Sequence, residues 1–263
     1  MGKYFGLLKY EANTIIRDPV DVYMFLFPVL MLLMSSFWFP VLFESIDPAQ
    51  EARLKMSMLL VLVVILVFGT FFLAAMATFL LVEQKDESTL NTIAVTPLGA
   101  SGYLKFKMTY LYLASVVGNI VVLQGTKLLA RDKYTIMGIR VLDNIGISHI
   151  VSFAVVGGLF TPALGLMQAA FAKNKVEAFA FVKGTGILGL IPALMVLEAF
   201  QGDMQYVLGV FPNFWAVKGM LLQLMPVGHT ANLSYPAYLA IGGVYNLILI
   251  IAAYRFFLKK AQY

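Results

Sequence analysis

Between Met56 and Val82 the chain runs for 27 residues without a charged side chain. At about 1.5 Å of rise per residue, a helix of that length more than covers a hydrocarbon core roughly 30 Å thick. The rest of the sequence agrees: 60% of the 263 residues are hydrophobic, only 13% are charged, and the mean hydropathy is +0.84, whereas a soluble domain carries roughly 25% charge. Charge-poor runs recur from residue 20 to residue 258 and leave no room for a second globular domain. We therefore read residues 1–263 as a single all-α integral membrane domain. The net charge of +5 is scattered in short segments between apolar runs, which excludes the basic stripe of a nucleic-acid-binding protein. The absence of cysteine removes disulfides, thiolate metal sites and Cys nucleophiles together. The first seventeen residues are too charged for the apolar region of a cleavable signal peptide, so the N-terminus is expected to stay on the protein.

Six spans are expected: Val20 to Phe43, Met56 to Val82, Met108 to Thr126, Asn144 to Ala172, Phe179 to Phe200 and Ala237 to Phe257. The third is near the minimum length. The fifth holds Lys183 and Glu198 near opposite ends, where long side chains reach the headgroups, and these are expected to be the only charges inside the membrane. Residues 204–228 form an apolar stretch broken by Pro212, Pro226 and Gly228. Charge decides how it is read. With six spans and both termini cytoplasmic, twelve Lys and Arg lie inside against seven outside, as the positive-inside bias requires, while a seventh span would send Arg255, Lys259 and Lys260 out. Residues 204–228 are thus read as a re-entrant hairpin before the last span, in a multi-pass protein of the plasma membrane. The basic outer segment 127–140 is the main feature against this topology. Trp38, Trp215, Tyr235 and Tyr238 suit an outer aromatic belt.

Residues 1–18 form a separate element. On a helical projection Tyr4, Phe5, Leu8, Ala12, Ile15 and Ile16 share one side and Lys3, Asn13, Thr14 and Arg17 the other, the pattern of an amphipathic helix lying in the membrane interface. Asp18 and Pro19 then turn the chain into the first span, making an elbow.

Several chemistries find no residues to carry them. His149 and His229 lie 80 positions apart with no carboxylate at ligand spacing, and no acidic cluster or HExxH-like pattern suggests a metal-dependent lipid enzyme. Gly125, Thr126 and Lys127 fall in the wrong order for a phosphate-binding loop, which needs GxxxxGK followed by Ser or Thr. An ion-coupled carrier needs ionisable groups near the bilayer midplane, and Lys183 and Glu198 sit near span ends. Energy is therefore expected from a partner.

The loop from Glu83 to Lys107 is the most informative segment. Glu83, Asp86 and Glu87 open it, Ser88 and Thr89 are helix-capping residues, Leu90, Ile93 and Ala94 recur at helical spacing, and Thr96 and Pro97 end the pattern. That describes a short amphipathic helix offering an apolar knob with a charged rim, either to a cytoplasmic partner or simply to solvent. The run of Glu83, Glu87, Thr89, Leu90, Val95, Thr96, Pro97 and Leu98, with Tyr103, Leu104 and Lys107 entering the next span, resembles the permease subunit of type-2 ABC exporters. The elbow, the six spans and the hairpin extend this resemblance over essentially the whole chain. It implies that residues 83–103 hold a coupling helix docking on a separate ATPase subunit, with Glu83, Asp86, Glu87, Thr89, Leu90, Ile93 and Pro97 as the contact residues. A second contact is expected from Lys173 to Glu177. It also implies pairing with a second permease copy or a paralogue, and it places ATP and Mg on the partner, with no cofactor on this chain and no ATPase site of its own.

Gly157, Thr161 and Gly165, and Gly184, Gly186 and Gly189, allow close helix approach, within one subunit or at a dimer seam. Phe68, Phe71, Phe72 and Met195 suit an apolar, adaptable cavity. The expected function is export of hydrophobic or amphipathic cargo, such as a drug, lipid or peptide. The rival readings are an ion-coupled secondary carrier and a non-transport scaffold or lipid-modifying protein.

Overall fold

The computed structural model describes residues 2–47, 50–86, 93, 95, 99–136, 138–197, 200, 202–225 and 233–260. Among them six helical segments are long and apolar enough to cross a membrane: Pro19–Glu44, Glu51–Asp86, Gly99–Lys133, Ile147–Phe171, Lys175–Met195 and Tyr235–Lys260, spans 1 to 6. Span 2 is the axis of the bundle, with 78% of its most apolar window buried, against 33% for span 1, 22% for span 5 and 28% for span 6. Its uniformly apolar sequence explains this, since a helix apolar on every side can be surrounded by other helices.

Spans 2 and 3 are longer than the hydropathy pattern suggests. At 36 and 35 residues each is about 50 Å long, so each runs past a roughly 30 Å core. The third span thus begins at Gly99, which has a φ of 64°, rather than at Met108. Glycine lets the helices approach closely: a Cβ on Gly165 of span 4 would lie 2.5 Å from Ala77 Cβ of span 2, and one on Gly118 of span 3 would lie 2.9 Å from Pro28 of span 1. Gly186 and Gly189 face Phe71, whereas a Cβ on Gly184 would meet nothing within 4 Å.

Residues 203–224, between spans 5 and 6, fold back on themselves. A 3-10 helix, Asp203–Val210, and an α-helix, Phe214–Leu224, flank a turn at Phe211–Asn213. Asn213 Nδ2 donates to the Gly189 carbonyl (2.8 Å), and Asn246, midway along span 6, donates to the Pro212 carbonyl (3.1 Å). Trp215 Nε1 donates to Gly209 (2.8 Å). Tyr235 and Tyr238 are buried beneath this hairpin and Trp215 is half-buried, so these three rings pack protein; of the four aromatics expected in a belt, Trp38 is exposed.

The basic segment that closes span 3 and follows it is tied down. Arg131–Lys133 forms one 3-10 turn, Thr135–Ile136 pairs antiparallel with Ile139–Arg140, Arg140 meets Asp132 (2.9 Å), Lys133 meets Glu44 (3.0 Å), and Lys127 donates to the Ile145 carbonyl (2.5 Å). Tyr134 is fully buried and its hydroxyl donates to the Ser35 carbonyl (2.6 Å) within a short π-helical stretch, Met34–Trp38. Burial pushes the Tyr134 phenol well above its ordinary pKa.

Candidate functional site

Where the N-terminal helix Gly2–Arg17 meets spans 2 and 3, a polar junction is closed off from solvent. Glu11 is 0% exposed and Lys107 is 1% exposed, and Lys107 Nζ lies 3.4 Å from Glu11 Oε2. Tyr103, one turn before Lys107 on the same face, donates its hydroxyl to Glu11 Oε1 (2.6 Å) and accepts from Gln84 Nε2 of span 2 (2.6 Å). The Lys107 ammonium also donates to that hydroxyl (3.4 Å) and lies 5.5 Å from the Tyr103 ring centroid. Asp21, in the first turn of span 1, is also buried. Burying a charge is costly unless it is paired and hydrogen-bonded, and here Glu11 and Lys107 pair with one another.

The N-terminal helix presents two faces. Ile15 and Glu11 turn to the bundle, and Ile15 shares a core cluster with Met24, Leu81 and Leu104. Leu8, Ala12 and Ile16 recur every four residues and are exposed. The apolar side expected from the sequence is therefore split, with the bundle taking one edge of it. Asp18 Oδ1 accepts from Val20 N (2.8 Å) and caps span 1.

A second tie lies beside the first. Glu83 Oε1 accepts from Lys175 Nζ (2.6 Å), at the first turn of span 5, and Lys85 donates to the Ala172 carbonyl (3.0 Å). Asn174 caps span 5 by accepting from Glu177 N, and Glu177 Oε2 accepts from Lys173 N, both at 2.9 Å. The end of span 2 is thus fastened to the turn 172–177. Deeper in the bundle, Thr78 donates to Gln168 (2.5 Å) and Gln168 donates to Thr185, which links spans 2, 4 and 5.

Phe68, Phe71 and Phe72 form one aromatic cluster with centroid separations of 5.5 to 6.4 Å, and Phe72 stacks on Phe27 of span 1 (3.8 Å). Phe71 and Met195 are buried; Phe68 and Phe72 are half-buried. Two cavities lie nearby and neither is lined by these four residues. One, of about 10 Å³, sits among spans 2, 3, 4 and 6 and the hairpin turn. The other is an open apolar groove of about 360 Å³ between spans 1 and 3, lined in part by Phe25, Pro28, Tyr110 and Val117.

Residues 11–254 match the family described as "Fluoroquinolones export permease protein Rv2686c-like". The chain belongs to that family. Two relatives from Mycobacterium tuberculosis, the "Fluoroquinolones export permease protein Rv2686c" of strain ATCC 25618 / H37Rv and "MT2760" of strain CDC 1551 / Oshkosh, are each 24% identical over 251 residues. Each comparison covers 93% of this chain and 89% of the relative. No solved structure matches it. The likeness to a type-2 ABC exporter permease read from the Glu83 to Lys107 segment is borne out, and the six apolar helices make this Rv2686c-like chain a multi-pass membrane protein.

Of the residues expected to contact an ATPase, Glu83 is ion-paired to Lys175, Asp86 is exposed at the end of span 2, and Ile93 is half-buried. Glu87, Thr89, Leu90 and Pro97 lie outside the described residues. The motif residues Tyr103 and Lys107 fall in the junction, and Glu83 falls beside it. Sequence reasoning passed over Glu11 and Gln84, and it placed no charge inside the bundle except Lys183 and Glu198. Instead Glu11, Asp21, Lys107 and Lys218 are buried, Lys183 is exposed with its ammonium 4.7 Å from the Phe179 ring, and Glu198 lies outside the described residues. The missed signal was a lone acid on an amphipathic helix, matched by a Tyr and a Lys one turn apart. Glu11 and Lys107 neutralise one another, so neither is the free midplane charge that an ion-coupled carrier needs.

Proposed function

We propose that this permease is the membrane half of an ATP-driven exporter, working with a separate ATPase subunit and a second permease copy or paralogue. It carries hydrophobic or amphipathic cargo outward. The relatives' names specify fluoroquinolones, and we take amphipathic aromatic molecules of that kind as the cargo class. The lysine and arginine count supports a topology with both termini and the 83–103 loop in the cytoplasm and residues 204–228 entering from outside as a re-entrant hairpin. ATP and Mg reside on the partner, and residues 1–263 act as one domain.

The observation that carries this reading is the junction. Glu11, Gln84, Tyr103 and Lys107 join the N-terminal helix to both flanks of the 83–103 loop, and the pair of Glu83 and Lys175 adds the 172–177 turn. A push delivered at that loop is passed to spans 1, 2, 3 and 5 through charged contacts that hold their geometry. The exposed stripe of Leu8, Ala12 and Ile16 suits a helix whose outer face lies on lipid. Coupling falls to Glu83, Asp86, Glu87, Thr89, Leu90, Ile93 and Pro97, and ATPase closure drives alternating access. Phe68, Phe71, Phe72 and Met195 are assigned to the cargo path, which opens when spans 1 and 5 shift off span 2.

The test is isolation of the tagged chain from its native membrane in mild detergent. An ATP-hydrolysing subunit is expected in stoichiometric amount, and it should be lost from the variant carrying Leu90→Asp and Ile93→Asp. A chain that comes alone after gentle crosslinking, with no associated ATPase activity, would overturn the reading.

A further inference from the structure

At the centre of the bundle two buried amides, each with an unpaired atom, line one small space. Asn119, midway along span 3, is 2% exposed and its Nδ2 has no hydrogen-bond partner. Asn246, midway along span 6, is 1% exposed; its Nδ2 donates to the Pro212 and Gly242 carbonyls, but its Oδ1 accepts nothing. Both residues, with buried Thr70 of span 2 and Asn213 of the hairpin turn, line the cavity of about 10 Å³. The backbone makes room for Asn119: a Cβ on Gly69 would lie 3.3 Å from Asn119 Oδ1, and one on Gly157 would lie 3.7 Å from Nδ2.

An unsatisfied buried donor or acceptor costs about 1–3 kcal/mol, and the hydrocarbon around the bundle offers no hydrogen bond in exchange. Here a free donor on one span and a free acceptor on another face a space about the size of one water sphere, with a hydroxyl on the same wall. Buried waters occupy such places and typically make about three hydrogen bonds. An apolar occupant would leave both amides unpaired, and the lining has no carboxylate to hold a cation.

We propose that this cavity is a binding site for a single water, which accepts from Asn119 Nδ2, donates to Asn246 Oδ1 and has the Thr70 hydroxyl as its third partner. It links span 3 to span 6 and, through the bond from Asn246 to Pro212, to the tip of the hairpin. This assignment does not depend on the exporter reading.

Water-edited solid-state NMR of the wild-type protein in lipid bilayers tests it directly. Carbonyl-13C glycine with uniformly 13C,15N-labelled asparagine isolates Asn119, because Gly118 and Asn119 form the one Gly-Asn step in the sequence and the labelled asparagine carbons relay the signal from its backbone nitrogen to its side-chain amide. Magnetisation is expected to pass from water directly to the Asn119 side-chain amide. A second measurement is thermal unfolding of Asn119→Leu, Asn246→Leu and the double variant. The double variant should lose clearly less than the sum of the two single losses, because each single change already breaks the same bridge. A dry Asn119 amide, or additive losses, would overturn the proposal; if the variants do not fold, the wild-type spectrum decides alone.

Discussion

Lys107 carries an ammonium that no water reaches, and its stability depends on Glu11 and Tyr103. Removing one ion of a buried pair strands the other, at a cost of about 3–5 kcal/mol, whereas replacing both with apolar groups is often nearly neutral. Lys107→Met is therefore expected to lower the unfolding temperature sharply, and adding Glu11→Leu should restore most of the loss. A double variant as unstable as the single one would show that the pair does not hold the N-terminal helix. Lys218 is a different kind of buried cation. It is 2% exposed in the hairpin helix, and burying an ammonium is costly. Lys218→Met keeps much of the side chain's length without the charge and should raise the unfolding temperature; a lower one would mean that the charge is needed to hold the hairpin. Tyr103 and Lys107 were visible in the sequence as a motif, but their partner was not, because Glu11 meets them only after the chain has folded.

Six apolar runs could be counted from the sequence because hydropathy reports contact with lipid or with other apolar helices. Helix length beyond the membrane leaves no such mark, so Gly99 to Lys107 read as loop while it continues span 3. The π-helical stretch Met34–Trp38 was equally hidden, since it depends on the buried Tyr134 hydroxyl from a distant segment. Small residues were legible as packing positions but not as to what they pack against. Gly165 lies against Ala77, with no room for a side chain, so Gly165→Val should overpack the contact of spans 2 and 4 and destabilise by about 1–3 kcal/mol. Gly184 opens outward on span 5, so Gly184→Val should leave the unfolding temperature of the monomer unchanged. If that face is the seam to a second permease, the same variant shifts the complex toward monomer in detergent, which light scattering measures. A loss of stability comparable to that of Gly165→Val would place Gly184 inside the subunit instead.

Taken whole, the molecule gathers Glu11, Asp21 and Lys107 toward one end of a bundle whose centre is held by neutral hydrogen bonds such as those of Thr78, Gln168 and Asn213, while Lys218 is buried apart from them in the hairpin. That polarity was only partly legible: the acidic opening of the 83–103 loop could be read, but its closure on Lys175 required the fold. The pair of Glu83 and Lys175 is partly exposed, so its contribution to stability is small. Its value under the proposed mechanism lies in passing motion from the end of span 2 to the first turn of span 5. Glu83→Ala should therefore leave the protein folded and membrane-inserted while cargo efflux falls relative to ATP hydrolysis by the partner. Lys175→Ala should give the same uncoupling. Exchanging the charges, Glu83→Lys with Lys175→Glu, rebuilds the contact with opposite polarity and should recover most of the flux that either Ala variant loses. ATP-driven uptake of cargo into everted vesicles, whose cytoplasmic face is outward, measured with ATPase rate in the same preparation, reads both quantities. Unchanged flux in both Ala variants would mean that the stroke reaches span 5 by another route, and an inactive charge exchange would mean that Glu83 acts on the ATPase subunit rather than through Lys175.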